Sequence, residues 1–174
     1  MSKKQFNKTE SFVKFAPSGD DICVAHKRAK AMGVLPNSYT RGLGRMAGCL
    51  GEIAVHKYLP RSKYVGDKSF CYDITYKNKE VEVKSKTCSS QPKLEYSAFV
   101  NCKNNPVLNN DIYFFTRVRR DLMLVWLVGW ISTTKLLKKA DFVKRGDMDE
   151  DGFVFKSSGL HLPISELERP NTIK

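Results

Sequence analysis

The segment "CYDITYKNKEVEVKSK" (71–86) places two carboxylates and an amine where they could act on a phosphodiester. Side chains on a strand alternate between faces, so Val81 and Val83 share one face while Glu82 and Lys84 share the other, which Lys86 extends. The polar triplet "KNK" (77–79) reads as the turn of a hairpin. With Asn78 and Lys79 as a two-residue turn, Tyr76 faces Val81, Thr75 faces Glu82 and Asp73 faces Lys84. Asp73 and Glu82 then form a diagonal pair, about 7–8 Å apart. Two such carboxylates can share a divalent cation, with magnesium–oxygen distances of about 2.0–2.1 Å. The cation would activate a water and polarise the phosphate, and the Lys84 ammonium would steady charge on the phosphoryl oxygens. The same residues equally suit a plain cross-strand ion pair between Asp73 and Lys84, worth about 0.2–1 kcal/mol.

Elements on either side must position these groups. Residues 1–19 read as an irregular basic arm closed by "PSG". "DDICVAHKRAKAMG" (20–33) reads as a helix, acidic at its start, basic later and followed by Gly33. A second helix spans 39–59, with Leu43, Met46, Ala47, Leu50, Ile53 and Ala54 in one stripe and Pro60 as its stop. On the helical wheel Glu52 falls opposite that stripe, with Arg45 as a solvent-side partner. The hairpin is followed by strands in "EYSAFVNC", "DIYFFTRVRR" and "LMLVWLVGWIS", where Trp126 and Trp130 are expected on one face with Leu124 and Val128. "TTKLLKKADFVK" (133–144) reads as a helix capped by Ser132 or Thr133, and "FVFK" as a short strand. The order predicts one α/β or α+β domain over 1–174, a central mixed sheet flanked by helices. Its core is expected over 39–132, and a C-terminal helix and tail over 133–174.

Composition narrows the function classes. The 174 residues are 41% hydrophobic, enough for a packed core. No apolar run reaches the ~18 residues of a membrane span, and "MSKKQFNKTE" is not followed by a signal-like apolar stretch, so a cytoplasmic protein is expected, in a bacterium or a virus-infected host cell. Five cysteines without CxxC spacing argue against a disulfide framework or a structural zinc site. Thirty Lys and Arg against eighteen Asp and Glu give a net charge of +12, which favours a polyanionic partner, most simply nucleic acid. "DMDEDG" (147–152) lacks the Glu of a calcium loop, since Ser158 stands at the twelfth position, and reads as an acidic turn.

Asp73, the eight-residue gap and "EVK" (Glu82, Val83, Lys84) resemble the PD-(D/E)xK nuclease superfamily, although Tyr72 stands where the signature has proline. Glu52 in "LGEIAVHKYL" supplies the upstream helical acid that members often carry. The order helix-Glu, Asp, Glu-x-Lys is similar to Holliday-junction resolvases and small phage endonucleases, over roughly residues 45–130. The resemblance implies a restriction-endonuclease-like core and a DNA endonuclease using Mg2+ or Mn2+. It implies metal ligation by Glu52, Asp73, Glu82 and the Val83 carbonyl, with Lys84 near the attacking water. The products would carry a 5′-phosphate and a 3′-hydroxyl.

Lys27, Arg28, Arg41, Arg45 and Lys86 are the expected phosphate contacts, with Ser85, Arg117, Arg119 and Arg120 as further candidates. Cutting both strands of a duplex would favour a homodimer. A non-catalytic nucleic-acid-binding module on the same fold is the contrasting reading, and an exonuclease or an RNA-directed enzyme a third.

Overall fold

The computed structural model describes residues 6–8, 12–32, 43–65, 72–104, 106–149 and 152–173. They form a single α+β domain around a mixed seven-stranded sheet ordered β1-β2-β8-β7-β5-β4-β3. These strands are β1 (Phe6–Lys8), β2 (Val13–Phe15), β3 (Lys63–Tyr64), β4 (Ile74–Tyr76), β5 (Lys79–Cys88), β7 (Ile112–Arg119) and β8 (Val125–Ser132). β6 (Ser97–Asn101), β9 (Asp141–Val143) and β10 (Gly159–Pro163) make a second, antiparallel sheet ordered β6-β10-β9. The helices are α1 (Gly19–Ala31), α2 (Leu43–Tyr58) and α3 (Thr133–Lys139). Among the described residues, no helix is long and apolar enough to cross a membrane.

Two apolar layers cover the two faces of the large sheet. On one, Ala47, Leu50, Ile53 and Ala54 of α2 and Ala25 of α1 pack on Ile74, Val81, Val83, Ile112 and Phe114. On the other, Tyr113, Phe115 and Trp126 pack with Ala98, Val100, Leu160 and Leu162 of the small sheet and with Leu136 of α3. α1 begins at a capping box: the Ser18 hydroxyl accepts the Asp21 amide, and the Asp21 carboxylate accepts the Ser18 amide. The same carboxylate binds Lys57 of α2 at 2.7 Å, locking the two helices together.

Several expectations need correcting. The described residues of the N-terminal arm are not all irregular, because β1 and β2 pair and β2 adds to the edge of β8, burying Val13 and Phe15. Three-residue strands are too short for a period to show in sequence. The expected helix over 133–144 stops at Lys139, because Asp141–Val143 pairs with β10 instead. "FVFK" contributes only an isolated bridge, Met148 to Val154. Trp126 and Trp130 lie on opposite faces: Phe115 pairs with Gly129 and Thr116 with Leu127, so Val128 is an extra residue that reverses the alternation. At that bulge Gly129 has φ 154°, and a Cβ there would come within 2.7 Å of the Glu168 carbonyl oxygen.

Candidate active site at the end of the β4–β5 hairpin

The turn between β4 and β5 is Lys77–Asn78, both with positive φ (51° and 61°), rather than Asn78–Lys79. Paired left-handed residues match the twist of a two-residue hairpin. The register is therefore Ile74 to Val81, Thr75 to Glu80 and Tyr76 to Lys79. A shift of two keeps every side chain on its face, and it buries Ile74 against Val81, both fully inaccessible. Continuing the register brings Asp73 beside Glu82 instead of Lys84.

β4 ends there. The Asp73 carbonyl accepts Val65 N–H, the Asp73 amide turns to the Val81 carbonyl, and the Asp73 carboxylate takes Val83 N–H at 2.7 Å. A strand residue sends its N–H and C=O to the same side, so the Val83 carbonyl points into the gap that opens beyond Asp73. Glu82 and Lys84 stand together on the face of β5 away from the helices, joined by an ion pair of 2.6 Å. The ion pair weighed from sequence, Asp73 to Lys84, is thus replaced by one within β5.

Glu52 arrives from the helix side. Gly51 seats α2 directly on the sheet, since a Cβ at this position would lie 2.0 Å from Ser85 Oγ and 2.6 Å from Thr116 Oγ1. Glu52 is consequently buried, not the solvated residue its wheel position suggested. Tyr64 of β3 donates its hydroxyl to Glu52 Oε2 at 2.8 Å. Burial and the Glu52 charge raise the phenol's pKa, keeping it a donor. Arg28 stacks on the Tyr64 ring, its guanidinium carbon 3.8 Å from the centroid. Tyr64 was missed because β3 has two residues and lies next to no recognisable motif.

The four groups meet electrostatically at Asp73. Burial first, then the negative charges of Glu52 and Glu82, push its pKa up to about 7, against the pull of the Val83 amide and the Lys84 charge. Three carboxylates around one gap are a hard-oxygen donor set of the kind that magnesium or manganese takes. As placed, no three His, Cys, Asp or Glu side chains among the described residues converge closely enough to hold an ion. Chemically the donors fit such a metal; Glu82 would have to exchange Lys84 for it.

The expected phosphate contacts separate into distinct roles. Lys86 lies on the face of Glu82 and Lys84, its ammonium 5.4 Å from the Phe99 ring centre. Arg45 is turned inward, donating to the Ala29 carbonyl at 3.3 Å, and Arg28 is held on Tyr64, so both tie α1 to its neighbours. Lys27 is exposed on α1, and Arg41 lies outside the described residues. Ser85 is directed to the helix side, where its hydroxyl pairs with Thr116 at 2.8 Å. Arg119 is engaged by Asp121 at 2.8 Å in the β7–β8 turn.

No protein-family model matches the chain. A search of curated proteins finds no match either.

Proposed function

We propose that this protein is a metal-dependent nuclease of the PD-(D/E)xK kind, hydrolysing DNA phosphodiester bonds internally on a restriction-endonuclease-like core. What supports the reading is Asp73 lying beside the Glu82–Lys84 pair where β4 ends, with the charges of both Glu52 and Glu82 acting on the Asp73 carboxyl. These are the acids and the amine singled out by residue type and spacing.

Glu52, Asp73, Glu82 and the Val83 carbonyl would hold Mg2+ or Mn2+. That ion would supply a Lewis acid and a water of lowered pKa. The chain's own residues do the rest. The Val83 amide fixes the Asp73 carboxylate, and Tyr64 fixes that of Glu52. Lys84, once released by Glu82, is free to orient the attacking water and to neutralise charge on the phosphoryl oxygens. The leaving oxygen becomes the 3′-hydroxyl, and the phosphate stays on the 5′ end. The excess of basic residues draws the polyanion in without reading its sequence.

The Lys84–Glu82 ion pair also suits a binding module that does not cut. Incubation with plasmid, linear, single-stranded and four-way-junction DNA, with and without Mg2+ or Mn2+, separates the two. Metal-dependent cleavage that disappears in Lys84→Ala and Asp73→Asn supports the nuclease. Binding to every substrate without cleavage selects the module.

A further inference from the structure

The face of β5 that carries Glu82 and Lys84 continues into a pocket of about 180 Å³, whose lining includes Lys84, Lys86, Phe99, Asn101, Phe115 and Arg117. Its charge is one-sided. Lys84 is paired with Glu82, but among the described residues no carboxylate forms an ion pair with Lys86 or Arg117. Arg117 is only 4% exposed. Its guanidinium donates to the carbonyls of Ser97 (2.5 Å) and Thr116 (3.3 Å), which fix its position without neutralising it. Lys86 has exposed surface, yet burial around its ammonium and the nearby Arg117 charge push its pKa down to about 8. A buried cation is as a rule paired, and Arg117 has no carboxylate partner among the described residues. With the exposed Lys86 opposite it on the neighbouring strand, it makes a seat for an anion.

Size and charge identify the anion. The pocket holds the equivalent of about six waters at ~30 Å³ each, and pockets for drug-sized ligands start at about 300 Å³. A phosphate group with a water or two fits within it. Two uncompensated cations match a terminal phosphate, which carries about −1.5 to −2 at neutral pH, better than the single charge of a diester. Lys86 lies four residues along β5 from Glu82, about 13 Å.

We propose that this pocket seats the terminal phosphate of a nucleic-acid strand. Arg117 and Lys86 grip it, and Asn101 offers a side-chain amide at the rim. The carboxylate site then acts at a short, fixed distance from a strand end, making the enzyme end-dependent. That last step rests on the nuclease reading; the phosphate seat does not.

The test is binding in chelator, by fluorescence anisotropy, of one labelled single-stranded sequence with a 5′-phosphate, a 3′-phosphate or hydroxyl ends. One phosphorylated form should bind about tenfold tighter than the hydroxyl form. Lys86→Gln, at an exposed position, should abolish that preference, weakening the phosphorylated form far more than the hydroxyl form; Arg117→Gln, checked for folding by its melting curve, should do the same. Equal affinity for all three ends overturns the proposal, as does a preference that survives both substitutions. Cleavage without end preference removes the pocket and keeps the nuclease; end preference without cleavage does the reverse.

Discussion

Asp73→Asn should make the metal-free protein more stable, and the gain should depend on pH. Folding raises the Asp73 pKa from its ordinary value near 3.8 to about 7. The folded state therefore holds a proton that the unfolded chain has released, and wild-type stability falls as pH rises between those two values. At about 1.4 kcal/mol per pH unit the full cost above neutrality is about 4 kcal/mol. Asparagine keeps an oxygen for the Val83 amide and removes the charge that Glu52 and Glu82 repel. Allowing for local rearrangement, the variant should gain about 2–4 kcal/mol at pH 8, roughly 4–16 °C in Tm for a chain of this size. The gain should shrink towards nothing near pH 4. Calorimetry of both proteins in chelator from pH 4 to 8 measures it. Saturating Mg2+ should then stabilise the wild type by about 2.7 kcal/mol at a hundredfold excess over Kd, raising its Tm, and leave the variant unmoved. Equal or lower stability of Asp73→Asn at pH 8 would refute the claim that three carboxylates are crowded at this gap.

Gly51→Ala should cost about 1–3 kcal/mol or more in urea unfolding, because its methyl would meet Ser85 and Thr116. It should reduce cleavage further than the stability loss explains, by moving Glu52. Tyr64→Phe should leave Glu52 without its phenol donor, weakening Mg2+ affinity about 10–100-fold in calorimetric titration. The preference for a phosphorylated strand end should fade as pH rises through about 8, where Lys86 loses its proton. The groups facing it are Lys84 on its own strand, Arg117 on β7 and His161 on β10. Ser18→Ala should destabilise the protein by about 1 kcal/mol in thermal melts through loss of the α1 capping box, with cleavage per folded molecule unchanged.

The central hairpin was legible because alternation and turn chemistry are local signals. "EVEVK" fixes which side chains share a face whatever the register, so Glu82 and Lys84 fall together even though the turn moved by one residue. α2 was legible from the periodicity of its apolar stripe, and α1 from its acidic start and basic end. What escaped depended on contacts remote in sequence. Nothing near Tyr64 announces that its hydroxyl reaches Glu52, and the burial of Glu52 follows from a helix–sheet approach set by one glycine. Arg117 reads as one of several surface arginines until the small sheet covers it. The bulge at Val128 is invisible in a run of apolar residues that suits either face.

The outer edge of β8 has two occupants. β2 pairs with it at Val125–Leu127, and beyond the bulge Glu168 exchanges both backbone hydrogen bonds with Trp130. Segments separated by most of the polypeptide thus meet on a single strand, each after closing a long loop. Such contacts return free energy only once their entropy has been spent. The central β5–β7–β8 strands can associate before either arrives, so sealing of this edge should be the last and slowest event of folding.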